Sequence, residues 1–229
     1  MKIYIDKSIT SILNDFNVLA MTMDVKTVES TIIEELIEKT EKRINEEYTL
    51  EEVISIPLIK EARDAYKKLG KDPSRYRLAC ESLLRRLVKG NHLYKINNLV
   101  DAGNILSIDT NRSVAVLDYD KIVGDVNIRL GTENDIYEGI GRGIINVNNI
   151  PLYDDEVGPF GSPTSDTPRT MITDETKKIL LMIICFSERY YEENIKRAIE
   201  IYEDYCFASN ITKIEVIRKW KKWKKFLTL

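Results

Sequence analysis

The sequence predicts an α+β fold with an antiparallel sheet or barrel at its core. Three observations predict it. Helical patterning dominates the N-terminal half, strand patterning dominates most of the C-terminal half, and no internal repeat or low-complexity stretch interrupts either. The 229 residues are 43% hydrophobic and 31% charged. These are ordinary globular values, and the length suffices for one large core or two small ones.

Element by element, Lys2-Ile3-Tyr4-Ile5-Asp6 reads as a strand, and residues 17–23 form a second apolar segment. A helix is expected over about residues 27–46, where Val28, Ile32, Leu36 and Ile44 recur near helical spacing. Thr49-Leu50-Glu51-Glu52 has the capping-box pattern and should open another helical region. Pro57 is expected to break it, with helix resuming over 58–69 and stopping at Gly70. Asp72-Pro73 signals the start of a helix running to residue 89 and closed by Gly90, with Tyr76, Cys80, Leu83, Leu84 and Leu87 as its buried stripe. A further helix should cover roughly 94–107. Strands are expected at 114–117, 126–130, 144–147 and 178–186. A long helix follows at about 187–208, then a short strand from 211 and a basic, aromatic helix.

Bulk properties exclude several function classes. Formal net charge is −3, from 34 basic and 37 acidic residues. A protein that grips a nucleic-acid backbone carries a basic surplus somewhere, so the balance argues against strong nonspecific binding and leaves open a local basic face. Binding to DNA is not expected. The three cysteines, Cys80, Cys185 and Cys206, are odd in number and widely spaced. That suggests neither a metal motif nor a disulfide framework, and they are expected as buried free thiols in a reducing compartment. The first ten residues lack an apolar run of signal length, and the longest apolar run, 179–186, is too short to cross a bilayer. A cytoplasmic protein without a membrane span is expected.

Three constellations could carry chemistry. Arg77, Glu81 and Arg85 fall at i, i+4 and i+8, and Asn97, Asp101 and Asn104 at i, i+4 and i+7, so each set shares one helix face. Asn and Asp are poor interior helix formers, so a stripe of them needs a reason. It is either a cleft wall of hydrogen-bonding groups or a network joining helices to sheet. The second is the loop at 158–170, with three prolines and two glycines. Its Thr164, Ser165, Asp166, Arg169 and Thr170 suit a ribose or an anion, or form an ordered surface loop in which Asp166 caps a turn. The third is the basic tail at 218–226, in which Trp220 and Trp223 alternate with lysines. That pattern suits RNA, a membrane surface, or an apolar helix face of Ile217, Trp220, Trp223 and Leu227 docked on the domain. The sole histidine, His92, reads as incidental. No Ser/His/Asp set, HExxH, CxxC or phosphate-binding glycine loop is present, so no metal or cofactor is expected.

Several blocks carry a resemblance. Arg63-Asp64-Ala65-Tyr66-Lys67-Lys68-Leu69-Gly70-Lys71-Asp72-Pro73 is followed by Arg75-Tyr76-Arg77 and Glu81-Ser82-Leu83-Leu84-Arg85-Arg86. Next come Asn97-Asn98-Leu99-Val100-Asp101-Ala102-Gly103-Asn104, Leu117-Asp118-Tyr119-Asp120-Lys121-Ile122, Val126-Asn127-Ile128-Arg129 and Asp174-Glu175-Thr176-Lys177-Lys178-Ile179-Leu180-Leu181. In this order and spacing they resemble the B3/B4 editing domain of the phenylalanyl-tRNA synthetase beta subunit, in its stand-alone branch. The resemblance implies a central Greek-key barrel with packed helices, and a cleft that receives the aminoacylated end of tRNA. It implies three regions: 1–62 packing on the core, 63–208 as the B3/B4-like domain, and 209–229 as a basic aromatic extension.

The same resemblance exposes departures. The synthetase pattern has a histidine where this chain has Ala115, and a glutamate near Pro168. The synthetase catalytic core is also missing, so ligation is not expected. One reading is a trans-acting hydrolase of mischarged aminoacyl-tRNA. Asn104 and Asn97 would hold the amine or carbonyl, Asp166 would orient water, and Arg169 would meet the terminal phosphate, with Glu81 and Arg85 bracing the wall. The others are a non-catalytic RNA-binding module and a binder of a small amino-acid-like ligand.

Overall fold

The computed structural model describes residues 1–218. In chain order the elements are β1 (Ile3–Ile5), α1 (Lys7–Thr10), β2 (Asn17–Asp24), α2 (Glu34–Glu47), α3 (Pro57–Lys68), α4 (Ala79–Leu87), α5 (Asn98–Thr110), β3 (Val114–Asp118) and β4 (Val126–Leu130). Then follow β5 (Glu138–Gly139), β6 (Gly143–Ile144), β7 (Pro151–Asp154), β8 (Pro159–Gly161), β9 (Lys178–Cys185), α6 (Tyr191–Cys206), β10 (Ser209–Lys213) and β11 (Val216–Arg218). The mixed α+β class is as the sequence predicts. The expected central barrel is not formed among the described residues. Instead there are two open sheets, of strand order β10-β2-β9-β3 and β11-β1-β4-β7-β8, and a small β5-β6 ribbon.

The central strand β9 sets the layering. All its residues but Lys178 are buried. Ile179, Leu181, Ile183 and Cys185 face a core shared with the helices. Leu180, Met182 and Ile184 face a second core, against Ile3, Ile5, Val126, Ile128 and Phe160 of the five-stranded sheet. The order is therefore helices, four-stranded sheet, five-stranded sheet. A strand buried on both faces needs apolar residues at both parities, which is why this segment reads as an unbroken apolar run. Each fully buried aliphatic side chain contributes about 1.5–3 kcal/mol. Strand β2 pairs antiparallel with β9 along its whole length, from Asn17↔Cys185 to Asp24↔Lys178. In the other sheet β1 runs parallel to both β4 and β11.

Local boundaries differ from expectation where a tertiary partner decides. The capping-box contact forms, since Thr49 donates to Glu52 Oε2 from both its backbone N and its hydroxyl at 2.8 Å, but it introduces only a short 3-10 turn, Glu52–Ser55. Pro57 starts α3 instead of breaking a helix, because its missing N–H falls where a helix has no internal partner for one. Asp72 caps a turn, accepting from Ser74 N at 2.8 Å, and α4 begins only at Ala79. The chain is drawn out there because Leu78 is fully buried and Ala79 N donates to the Pro163 carbonyl at 2.9 Å. The expected strand at 144–147 shrinks to β6, which begins at Gly143, a residue held at φ +66° like Gly141 just before it. No helix among the described residues is long and apolar enough to cross a membrane. Trp220 and Trp223, with the rest of 219–229, lie outside the described residues.

Candidate functional site

The site begins with a glycine. A Cβ on Gly103 would stand 2.4 Å from Val116 Cγ2, so only glycine lets α5 lie this close to β3. Beside this contact is a cavity of about 240 Å³. Its apolar walls are Ile96, Val100 and Gly103 from α5 and its approach, Val114 and Val116 from β3, Ile140 from the ribbon, and Met171 and Ile172. Two polar side chains enter it, Asn104 and Asp166. The proline-rich segment and the amide-bearing helix thus contribute to one pocket, which is mostly apolar.

The segment carrying Asp166 is fixed from several sides. Ser162 Oγ accepts from Thr164 N at 3.3 Å and Ser165 N at 3.2 Å, and donates to the Ser165 carbonyl at 2.9 Å. The Tyr137 hydroxyl also donates to the Ser165 carbonyl, and Ile140 N donates to the Asp166 carbonyl at 2.9 Å. Gly161 leaves room behind, because a Cβ there would lie 2.8 Å from Asp166 Oδ1. Asp166 keeps partial exposure through the pocket, whereas Oδ1 is buried with no hydrogen-bond partner among the described residues. Burial pushes its carboxyl up to about 7, with the nearby Ser162 backbone N–H pulling more weakly the other way. A carboxyl poised there can take a proton near neutral pH.

The other predicted residues lie elsewhere or are occupied. Asn97 is the N-cap of α5, accepting from Val100 N at 3.0 Å, which accounts for an asparagine there. Asp101 accepts from Ile96 N at 3.1 Å, and burial raises its carboxyl. Glu81 is buried, with both carboxylate oxygens on Arg63 Nη1 at 2.8 and 2.9 Å and Arg77 Nε at 3.4 Å. Arg63 is the partner that the helical spacing of Arg77, Glu81 and Arg85 leaves out. None of that trio lines the cavity. Arg169 is held by Asp155 at 2.8 and 3.0 Å and by the Gly158 and Lys121 carbonyls at 3.0 and 3.2 Å, so its fork is closed to an anion. Thr164 Oγ1 sits 3.2 Å from the Tyr66 hydroxyl, Ser165 Oγ donates to the Asp166 carbonyl at 3.3 Å, and Thr170 is buried beneath the Phe160 carbonyl. Ala115 turns into the core between the sheets while its neighbours Val114 and Val116 line the cavity. Pro168 opens a 3-10 turn, Pro168–Thr170, outside it. The apolar lining gave no sequence signal apart from ordinary core patterning.

A wider groove of about 720 Å³ lies elsewhere, between the β1–β2 connection, α3 and the chain after β9. Its acidic residues Asp15, Glu61, Asp64 and Glu188 are offset by Lys68 and Arg189, with Glu61 and Arg189 paired at 3.2 Å. Size favours this groove. Chemistry favours the smaller cavity, where a carboxylate oxygen is buried with no counter-ion. Among the described residues no group of three or more His, Cys, Asp or Glu could hold a metal ion.

Fold and cleft together define a class: a two-sheet α+β domain with a helical layer and a small, mainly apolar pocket against it. The B3/4 domain family matches residues 61–205, and the chain belongs to that family. It is 27% identical over 132 residues to the phenylalanine–tRNA ligase beta subunit of Fusobacterium nucleatum, a match covering 55% of this chain and 16% of that protein. An N-terminal fragment of the phenylalanyl-tRNA synthetase beta subunit from Pyrococcus horikoshii shares the fold, with TM-score 0.53 at 11% identity, over 95% of this chain and 52% of that one. The chain therefore spans a small part of the first relative and about half of the second.

Proposed function

We propose that this chain receives the aminoacyl end of a charged tRNA and hydrolyses its ester. The observation that carries this reading is the shared cavity of Asn104 and Asp166, in which the carboxyl is poised near neutral pH. Family membership supports the tRNA partner. In the proposed reaction Asp166 takes a proton from a water as the water oxygen bonds to the ester carbonyl carbon. The Asn104 amide donates to the resulting oxyanion. Collapse breaks the bond to the ribose oxygen, which takes the proton back from Asp166. Free amino acid and uncharged tRNA leave. A positioned water and a stabilised oxyanion suffice for this chemistry, so a histidine at Ala115 is not required.

The lining also separates an aminoacyl ester from a free amino acid. No Lys, Arg or His is among the lining residues. A free amino acid would bring its own carboxylate beside Asp166 with no cationic side chain to receive it. An ester carries no such charge.

The test is a panel of charged tRNAs incubated with the protein, following ester loss against buffer. Wild type should accelerate the loss of at least one ester. Asp166→Asn should lower kcat/KM by roughly 10²–10⁴-fold, and Asn104→Ala by roughly 10²–10³-fold. Loss no faster than buffer across the panel would sink the hydrolytic reading. Retained tRNA binding in that case would leave a non-catalytic RNA-binding protein.

A further inference from the structure

We infer that the cleft selects aminoacyl groups with apolar, unhydroxylated side chains. Valyl is favoured over threonyl, and phenylalanyl over tyrosyl. The inference rests on the ester reading above and deepens it. In that reading Asp166 and Asn104 both serve the ester, one at the water and one at the carbonyl oxygen. The walls left for the substrate side chain are Ile96, Val100, Val114, Val116, Met171 and Ile172. None of these side chains offers a hydroxyl, an amide or a charge.

The hydroxyls nearest the loop are engaged elsewhere. Tyr66 meets Thr164, and Tyr137 donates to the Ser165 carbonyl. None of these four residues lines the cavity. A substrate hydroxyl entering among the walls would lose its water and find no side chain to replace it. Size does not exclude a phenyl ring, because a cavity of about 150 Å³ already admits benzene, and this one measures about 240 Å³. The selection is therefore by polarity, not by bulk. An apolar pocket distinguishes an isostere that differs by one hydroxyl by roughly 10²-fold.

The experiment charges one tRNA body with Val or Thr, and with Phe or Tyr. Ester hydrolysis is measured for each pair, and binding is measured with the corresponding non-hydrolysable 3′-amide aminoacyl-adenosines. Wild type should favour Val over Thr and Phe over Tyr by roughly 10²-fold in kcat/KM. Val116→Thr keeps the side-chain shape and adds a hydroxyl to the wall, so it should reduce the Val/Thr ratio at least tenfold. A ratio near one, or an inverted one, in an active wild-type protein overturns the selectivity and leaves hydrolysis standing. An unchanged ratio in V116T overturns this cavity as the place of selection. Neither hydrolysis nor binding of any ester overturns the reading beneath, and the selectivity with it.

Discussion

Replacing Asp166 with asparagine keeps the side-chain shape and removes its titration. In the folded chain burial holds the carboxyl protonated up to about pH 7. In an unfolded chain an aspartate releases its proton near pH ~3.9. Between those values the folded state binds more protons than the unfolded one, so this group's contribution to stability falls as pH rises and is level above about 7. The interval is worth about 4 kcal/mol at ~1.4 kcal/mol per pH unit, an upper bound for a side chain that keeps some access to water. The D166N variant escapes this cost. Its stability relative to wild type should therefore rise between pH 4.5 and pH 8, by on the order of 2–4 kcal/mol. Urea unfolding followed by circular dichroism at four or five pH values measures the difference, provided the two proteins share the same m-value. If the difference is constant to within about 0.5 kcal/mol across that range, the carboxyl is not held protonated by burial and its role as the base falls with it.

Other outcomes follow from the same structure. Glu81→Gln leaves Arg63 and Arg77 facing a neutral group in a buried setting, and should cost about 3–5 kcal/mol in chemical unfolding; a loss below 1 kcal/mol would show the cluster to be solvated. Asn98→Ala removes one acceptor and two donors, to Val28 N at 2.8 Å, Tyr205 O at 2.9 Å and Lys26 O at 3.0 Å. With those groups stranded, the expected loss is at least ~3 kcal/mol, read from the urea midpoint. Gly103→Ala should destabilise by about 1–3 kcal/mol through contact with Val116, and Val116→Ala added to it should restore part of that; strict additivity of the two would refute the contact. Burial pushes the Cys80 thiol up to about 12 and the Cys185 thiol up to about 11. A thiol reagent at pH 8 should therefore leave both unmodified until denaturant is added, and fast labelling of the native protein would contradict their burial.

The fold was legible where one signal had one meaning. The unbroken apolar run of β9, the alternation in β1 and the cysteines' lack of pairing partners all read correctly. Signals with two meanings misled. A proline after a capping box marks either a break or a first turn, and only the packing of α3 decides. Asp72-Pro73 starts a turn in place of a helix because Ala79 is bonded to Pro163, far along the chain. The site divides in the same way. Asn104 stood out as a poor helix former in a polar stripe, Asp166 as a carboxylate in a long proline-rich loop, and they share the cavity. Arg169 stood out equally, yet Asp155 claims it, and nothing in the spacing showed that pairing. The apolar walls were silent because a residue lining a pocket and one filling a core look alike in sequence.

The placement of β1 has a consequence during synthesis. This strand, at residues 3–5, lies between β4 and β11, and its β11 partner spans residues 216–218. At about 5–20 residues added per second, the second partner reaches the nascent chain roughly 10–40 s after β1 leaves the ribosome. Pairing with β4 comes earlier and leaves the other edge of β1 with its backbone groups open. A translational pause between β4 and residue 216 would prolong that exposure, and a chaperone bound to the edge until β11 arrives would shield it.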